Sequence, residues 1–228
     1  MVNQITELVF ILDKSGSMAG FEEDTVGGFN SMIERQRKIE GKAYVSTVLF
    51  SNGSTVIHDR VDINDVKPLT LDDYYVGGGT ALLDAIGEAM RHIGNVHKYA
   101  RPEDVPERTA FIITTDGMEN ASFIHDSESV KAQIKQKSEK YGWEFIFLAA
   151  NIDAIETAGN IGIRRERAMN YMQSHDGVSQ NYSDVSRIIK FMRNKPEVFC
   201  DMDINCMHEN CDDDDDIEEE HENEVENG

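Results

Sequence analysis

Cysteine is scarce in this chain of 228 residues, at three, and all three lie late, as Cys200, Cys206 and Cys211. A disulfide-stapled secreted domain is therefore excluded. Long apolar runs are missing too: LVFIL and FIFLAA stop at strand length, far short of the roughly 18 residues that a membrane span needs. The N-terminus, MVNQITELVF, lacks a basic region, a long apolar stretch and a small-residue cleavage site, so no secretory signal is read and a cytoplasmic location is expected. Basic charge is in short supply, with 22 Lys and Arg against 43 Asp and Glu and a net charge of −21. Phosphate backbones need clustered cations, so nucleic acid is not an expected partner.

The acidic excess is uneven. Fourteen acids and no Lys or Arg lie between Asp201 and Gly228, so those residues carry −14 and leave −7 for residues 1–200. The composition divides the chain into a domain over 1–199 and an acidic tail over 200–228, whose runs Asp212–Asp216 and Glu218–Glu220 predict disorder. Cys200, Cys206, His208 and Cys211 are soft to borderline ligands that zinc accepts, but no CxxC knuckle is present, and an incidental, solvated cluster is the simpler expectation.

The domain alternates strand and helix. ITELVFILD (5–13), TAFIITTDG (109–117) and WEFIFLAAN (143–151) read as strands buried on both faces of a parallel sheet. Helical spacing runs over 24–40 through Val26, Phe29, Met32 and Ile33, and over 81–96 through Leu82, Leu83, Ile86, Met90 and Ile93, with Thr80 as the expected N-cap. Further helices are read at 127–141, 153–162 and 183–192, and a short last strand within 167–172. KAYVSTVLFS and STVIHDRV flank Asn52-Gly53, which predicts an antiparallel edge hairpin closed by a two-residue type I′ turn. The sum is an α/β fold: a Rossmann-like, doubly wound, mostly parallel central sheet with one antiparallel edge strand and helices on both faces. Ligands of such sheets bind beyond the carboxyl ends of the strands, where strand order reverses. Asp13 and Asp116 end strands there.

After the first strand the chain reads Asp13-Lys14-Ser15-Gly16-Ser17, an aspartate and two hydroxyls at alternate positions in a tight turn. Thr80 follows Gly77-Gly78-Gly79, and Asp116 sits in Thr114-Thr115-Asp116-Gly117. Three loops at one sheet edge thus offer five oxygen-bearing side chains, the donor type that a hard divalent cation such as Mg2+ prefers. The three glycines lack the Lys-Ser/Thr that a phosphate loop requires. Asp84 is equally an exposed helix aspartate or a support for the metal loop. Lys14 is expected to point to solvent.

D-x-S-x-S after the first strand, a threonine after a glycine-rich turn and a strand-terminal Asp-Gly resemble the von Willebrand factor A domain over roughly residues 5–195. The resemblance, to its stand-alone intracellular members, implies a metal-ion-dependent adhesion site formed by Asp13, Ser15, Ser17, Thr80 and Asp116. It also implies hydroxyls that coordinate directly, aspartates acting partly through water, and Mg2+ or Mn2+ as the ion. The implied function is binding without catalysis: a partner protein offers an Asp or Glu to the ion, and the chain serves as an adaptor or complex subunit, with an ATP-driven remodelling complex as one setting that the resemblance allows. The alternative is a Mg2+-dependent phosphatase-like hydrolase with Asp13 as nucleophile. That chemistry wants an acid two positions on, where this chain has Ser15. A tethered tail carboxylate is a further candidate ligand for the chain's own metal site.

Overall fold

The structure is a computed structural model that describes residues 5–195, 199 and 202–205. Its strands and helices run in the order β1 (Thr6–Asp13), α1 (Glu22–Arg37), β2 (Ala43–Phe50), β3 (Ser54–Asp62), α2 (Leu82–Tyr99), β4 (Arg108–Thr115), α3 (Ser127–Tyr141), β5 (Glu144–Ala149), α4 (Ala154–Asn160), β6 (Ala168–Asn170) and α5 (His175–Asn194). They form one sheet in the order β3-β2-β1-β4-β5-β6. Every neighbouring pair is parallel except β2 and β3.

All eight residues of β1 are buried, as its run of apolar and β-branched side chains predicts. Alternate residues serve opposite faces. Leu8, Phe10 and Leu12 pack with α1 and α5, whereas Val9 and Ile11 pack with α2 and α3. Glu7, inside the run, is fully buried; its Oε2 accepts from Arg60 Nε at 2.7 Å and lies 3.3 Å from His97 Nε2. Strand order reverses between β1 and β4. The chain leaves β1 towards β2 on one side and leaves β4 towards β5 on the other, which opens a crevice at their C-terminal ends.

Two local expectations are corrected. Phe50 pairs with Ser54, so the β2–β3 loop has three residues, and neither Asn52 nor Gly53 takes the positive φ that a type I′ turn demands. The Asn52 side chain is engaged elsewhere, accepting the Gly79 N–H at 2.6 Å. The last helix is also longer at its start than the apolar stripe suggested, because Ser174 caps it by accepting the Gly177 N–H at 3.1 Å.

The chain beyond α5 returns to the sheet. Phe199 and Ile204 are buried in the core, Ile204 N–H donates to Glu166 O, and Asn205 Nδ2 donates to Ala168 O. Cys200, Cys206, His208, Cys211 and the acidic run lie outside the described residues.

His58 on β3 is buried against the Phe29 ring. Its Nε2 faces the Lys67 carbonyl at 2.9 Å and so carries the proton, while Nδ1 accepts from the Thr47 hydroxyl at 3.0 Å. Burial holds its pKa below the ordinary histidine value. The unfolded chain thus binds more protons in the window between the two pKa values, and the contribution is complete above the unfolded value of about 6.5 and lost as pH falls through the folded one. His175, raised by its contact with Asp24, works in the opposite direction at the surface. Urea midpoints of the native chain and His58→Gln should therefore converge as pH is lowered from neutrality to about 5; parallel curves would contradict the assignment.

Candidate metal centre

Asp13 ends β1 at the crevice and is almost fully buried. Its Oδ1 accepts the Ser15 N–H at 2.7 Å, which bends the D-x-S turn, and its Oδ2 accepts the Thr115 hydroxyl at 2.6 Å. Asp116 stands one residue beyond β4. Its Oδ1 accepts the Ser17 hydroxyl at 2.6 Å, and Ser15 Oγ lies 3.0 Å from Ser17 Oγ. Because the Ser17 proton goes to the carboxylate, Ser15 is the donor of that pair. The protons thus run Ser15 to Ser17 to Asp116, leaving lone pairs for an incoming cation.

Thr80 completes the group. Gly117 brings its backbone so close that a Cβ there would stand 3.3 Å from both Ser17 Oγ and Thr80 Oγ1, so a side chain would crowd both donors. All five predicted residues are therefore brought to one end of the sheet. Thr80 is not the helix N-cap, however: α2 starts at Leu82 with Ala81 as the cap residue. Glu119 and Ser122 from the neighbouring loop take the Leu83 and Asp84 N–H groups at 2.9 and 3.1 Å, which leaves the Thr80 hydroxyl to the site.

The loops are knitted by the backbone. Gly16 N–H donates to Gly78 O at 3.1 Å and Gly77 N–H to Lys14 O at 2.9 Å. Gly78, at φ 83°, occupies the left-handed region, and a Cβ there would meet Asn52 Nδ2 at 2.7 Å. Asn120 grips Thr80 from both sides: its Oδ1 accepts the Thr80 N–H at 2.9 Å and its N–H donates to Thr80 O at 3.1 Å. Asp84 is buried and accepts the N–H groups of Phe123, Ile124 and His125 at 2.7–3.0 Å, so it anchors a loop and is not a solvent-exposed helix residue. The buried Tyr74 hydroxyl donates to Asp13 O. Lys14 is also buried, with its ammonium 4.0 Å from the centroid of the Tyr75 ring, rather than turned to solvent.

Four supports escaped the sequence reading: Thr115, Asn120, Tyr74 and Gln173. Gln173, between β6 and α5, donates to Asp116 Oδ2 at 2.5 Å and to Ser17 O at 3.0 Å. Thr115 could have been found, since it lies within the Thr-Thr-Asp-Gly stretch and alternates inward with Asp13; no local pattern marks Gln173.

The electrostatics favour a cation. Burial pushes the pKa of both Asp13 and Asp116 above the ordinary aspartate value, and Asp13 raises Asp116 further by repulsion. No basic side chain bonds either carboxylate among the described residues. Two desolvated acids and three hydroxyls form an all-oxygen donor set with no soft ligand, which fits a hard divalent ion. No group of three or more His, Cys, Asp or Glu suited to a metal occurs among the described residues, so an ion held here would draw much of its coordination from hydroxyls. The surrounding loops carry exposed apolar side chains: Tyr75 under the Lys14 ammonium, Met118 next to Gly117, Phe123 on the Asp84 anchor and Met172 beside Gln173.

No family model matches the sequence, and no curated protein matches it. Solved structures do. The chain is similar to proximal thread matrix protein 1 from the mussel byssus with a zinc-occupied MIDAS motif, at TM-score 0.55 and 17% identity over 83% of this chain and 47% of that one. It is also similar to a von Willebrand factor type A structure from Catenulispora acidiphila, at TM-score 0.54 and 14% identity over 79% and 41%. A third is the ArnB paralog VWA2 from Sulfolobus acidocaldarius, at TM-score 0.50 and 17% identity over 81% and 45%. The chain thus has the von Willebrand factor A fold, and it spans less than half the length of each of these chains.

Thr115→Val keeps the side-chain shape but leaves Asp13 Oδ2 without its donor. It should lower stability by about 1–3 kcal/mol, measured by urea unfolding. An unchanged midpoint would show that the hydroxyl does not hold Asp13.

Proposed function

We propose that this chain is a metal-dependent protein-binding module. Asp13, Ser15, Ser17, Thr80 and Asp116 would hold one Mg2+ or Mn2+, and a partner's Asp or Glu would supply a further oxygen. The observation that carries this is the convergence of three hydroxyls and two uncompensated carboxylates at the β1/β4 crevice, on loops that also present exposed apolar residues.

The chemistry is electrostatic and positional. The bound ion would offer a Lewis-acidic coordination position to a carboxylate. Two site carboxylates nearly neutralise a 2+ charge, so a further acid adds to the site without strong repulsion. Thr115 and the Ser15 N–H hold Asp13, Asn120 holds Thr80, and Gln173 holds Asp116, so the donors are in place before a ligand arrives. Tyr75, Met118, Phe123 and Met172 would cover apolar side chains that flank the partner's acid.

A binding role, not turnover, is the proposal. Both oxygens of Asp13 already accept hydrogen bonds, and the position two residues on is Ser15, so an aspartyl nucleophile with a paired acid is poorly supported. The setting we infer is cytoplasmic, as an adaptor or a subunit of a larger complex, with an ATP-driven remodelling machine as one such complex. The mussel protein holds zinc in its MIDAS motif, so zinc belongs among the ions to be compared.

Titration calorimetry of Mg2+, Mn2+ and Zn2+ into the full chain and into Asp13→Ala tests the site, since both proteins carry the same acidic tail. The native chain should take up one ion more tightly than the variant does. Identical isotherms would refute the metal site. Peptides bearing Asp between apolar residues should then bind the loaded chain more weakly when Asp is changed to Asn or when Met118→Asp is introduced. Equal binding of the Asp and Asn peptides would refute the carboxylate role.

A further inference from the structure

A second recess lies at the other end of the sheet. It is a cavity of about 650 Å3 between α3 and the segment that enters β6, with Ile134, Trp143, Phe145 and Ile163 among its lining residues. Lys131, Lys135, Arg164 and Arg167 also line it, four cations against the carboxylates of Glu139 and Glu144. Glu144 is taken up by Arg167 Nε at 2.8 Å and by Arg164 at 3.5 Å, and the Lys135–Glu139 contact of 3.9 Å joins two exposed side chains. Lys131 has no acidic partner among the described residues. In a chain of net charge −21, a recess with an apolar floor and a cationic rim calls for an acidic ligand with an aliphatic anchor.

The chain carries such a segment next to it. The return after α5 passes over the outer edge of β6, where Arg167 takes Phe199 O at 2.5 Å and also Met202 O, and Asn205 Nδ2 donates to Ala168 O at 3.1 Å. Residues 206–228 therefore begin close to Arg167, one of the two arginines that line the cavity. They contain twelve Asp and Glu, no Lys or Arg, and Ile217 set between Asp212–Asp216 and Glu218–Glu220. From Asn205, Ile217 can reach up to about 40 Å, which spans the cavity, and a tether of this kind gives an effective concentration on the order of millimolar.

We propose that this cavity is a docking site for the chain's own C-terminal segment, with Ile217 on the apolar floor near Trp143 and the flanking carboxylates against Lys131, Lys135 and Arg164. The site is remote from the metal centre and does not depend on the proposed binding function. It also directs the tail to the end of the sheet opposite Asp13 and Asp116, where acidic side chains would repel it in the absence of an ion.

Trp143 is the chain's single tryptophan, so it serves as an energy donor within the full chain. A dansyl group on Cys211, with Cys200→Ser and Cys206→Ser, reports the distance. Transfer from Trp143 should be strong at low salt and independent of protein concentration. It should fall to about half or less in Lys131→Glu/Lys135→Glu and at high salt, since rim ion pairs are screened. Ile217→Ser, which changes no charge, should lower it as well, and Asp13→Ala should leave it alone. Weak transfer in the native chain, or insensitivity to either Lys131→Glu/Lys135→Glu or Ile217→Ser, would overturn the docking. Transfer that grows with protein concentration would assign the cavity to a second copy, and a change in Asp13→Ala would assign the tail to the metal centre; either result also overturns it.

Discussion

Two carboxylates buried side by side without a countercharge are the constraint on which the rest of this structure turns. Asp13 and Asp116 stand at the ends of adjacent parallel strands, and each loses hydration by being there. A fold can tolerate such a pair only if donors surround it, and here they come from the turn after β1, the end of β4 and the segment between β6 and α5. The Ser15 amide and the Thr115 and Ser17 hydroxyls all point protons inward, as does the Gln173 amide. The loops are therefore placed by the needs of two side chains, and the crevice left by the reversal of strand order supplies the space.

The same requirement explains why the supporting loops are held so firmly. The Thr80 loop is fastened to the β2–β3 turn through Asn52 and Ser51, to the Asp13 loop through glycine amides, and to the Asp116 loop through Asn120. Glu119 and Asp84 then tie the last of these to the positive end of α2. Displacing one loop would strand polar groups on the others, so the donors behave as one unit. The acidic end contrasts with the cationic recess at the far edge, and the polarity is absent from the bare net charge.

Much of this was legible in the residues. Uniformly apolar strands and helical stripes specify the sheet through short-range periodicity, whereas D-x-S-x-S, Thr80 and Asp116, far apart in the chain, are joined into one site by the family resemblance and by their places at strand ends. What escaped depends on contacts between distant segments. Asn52-Gly53 reads as a tight turn until Gly79 claims the Asn52 oxygen, and Thr80 reads as a cap until Glu119 and Ser122 take over that duty. Gln173 lies 57 residues from the aspartate it serves. Lys14 looks solvent-bound in a polar turn, yet the Tyr75 ring covers its ammonium. Glu7 hides in an apolar run because its partners, Arg60 and His97, come from β3 and α2.

The return of the chain over β6 has a consequence for how the molecule meets its own copies. An open sheet offers two rows of unpaired peptide groups, each a template on which another strand can grow. On one side β6 is only three residues long, and Ile204 and Asn205 occupy the carbonyls of Glu166 and Ala168 at its entry. On the other side β3 breaks its ladder with register shifts and sets Arg60 at φ 50° beside the charged Asp59. Both borders are thus spoiled for strand addition, which steers the protein away from fibrillar self-association and leaves side chains, not backbone, as its means of recognising others.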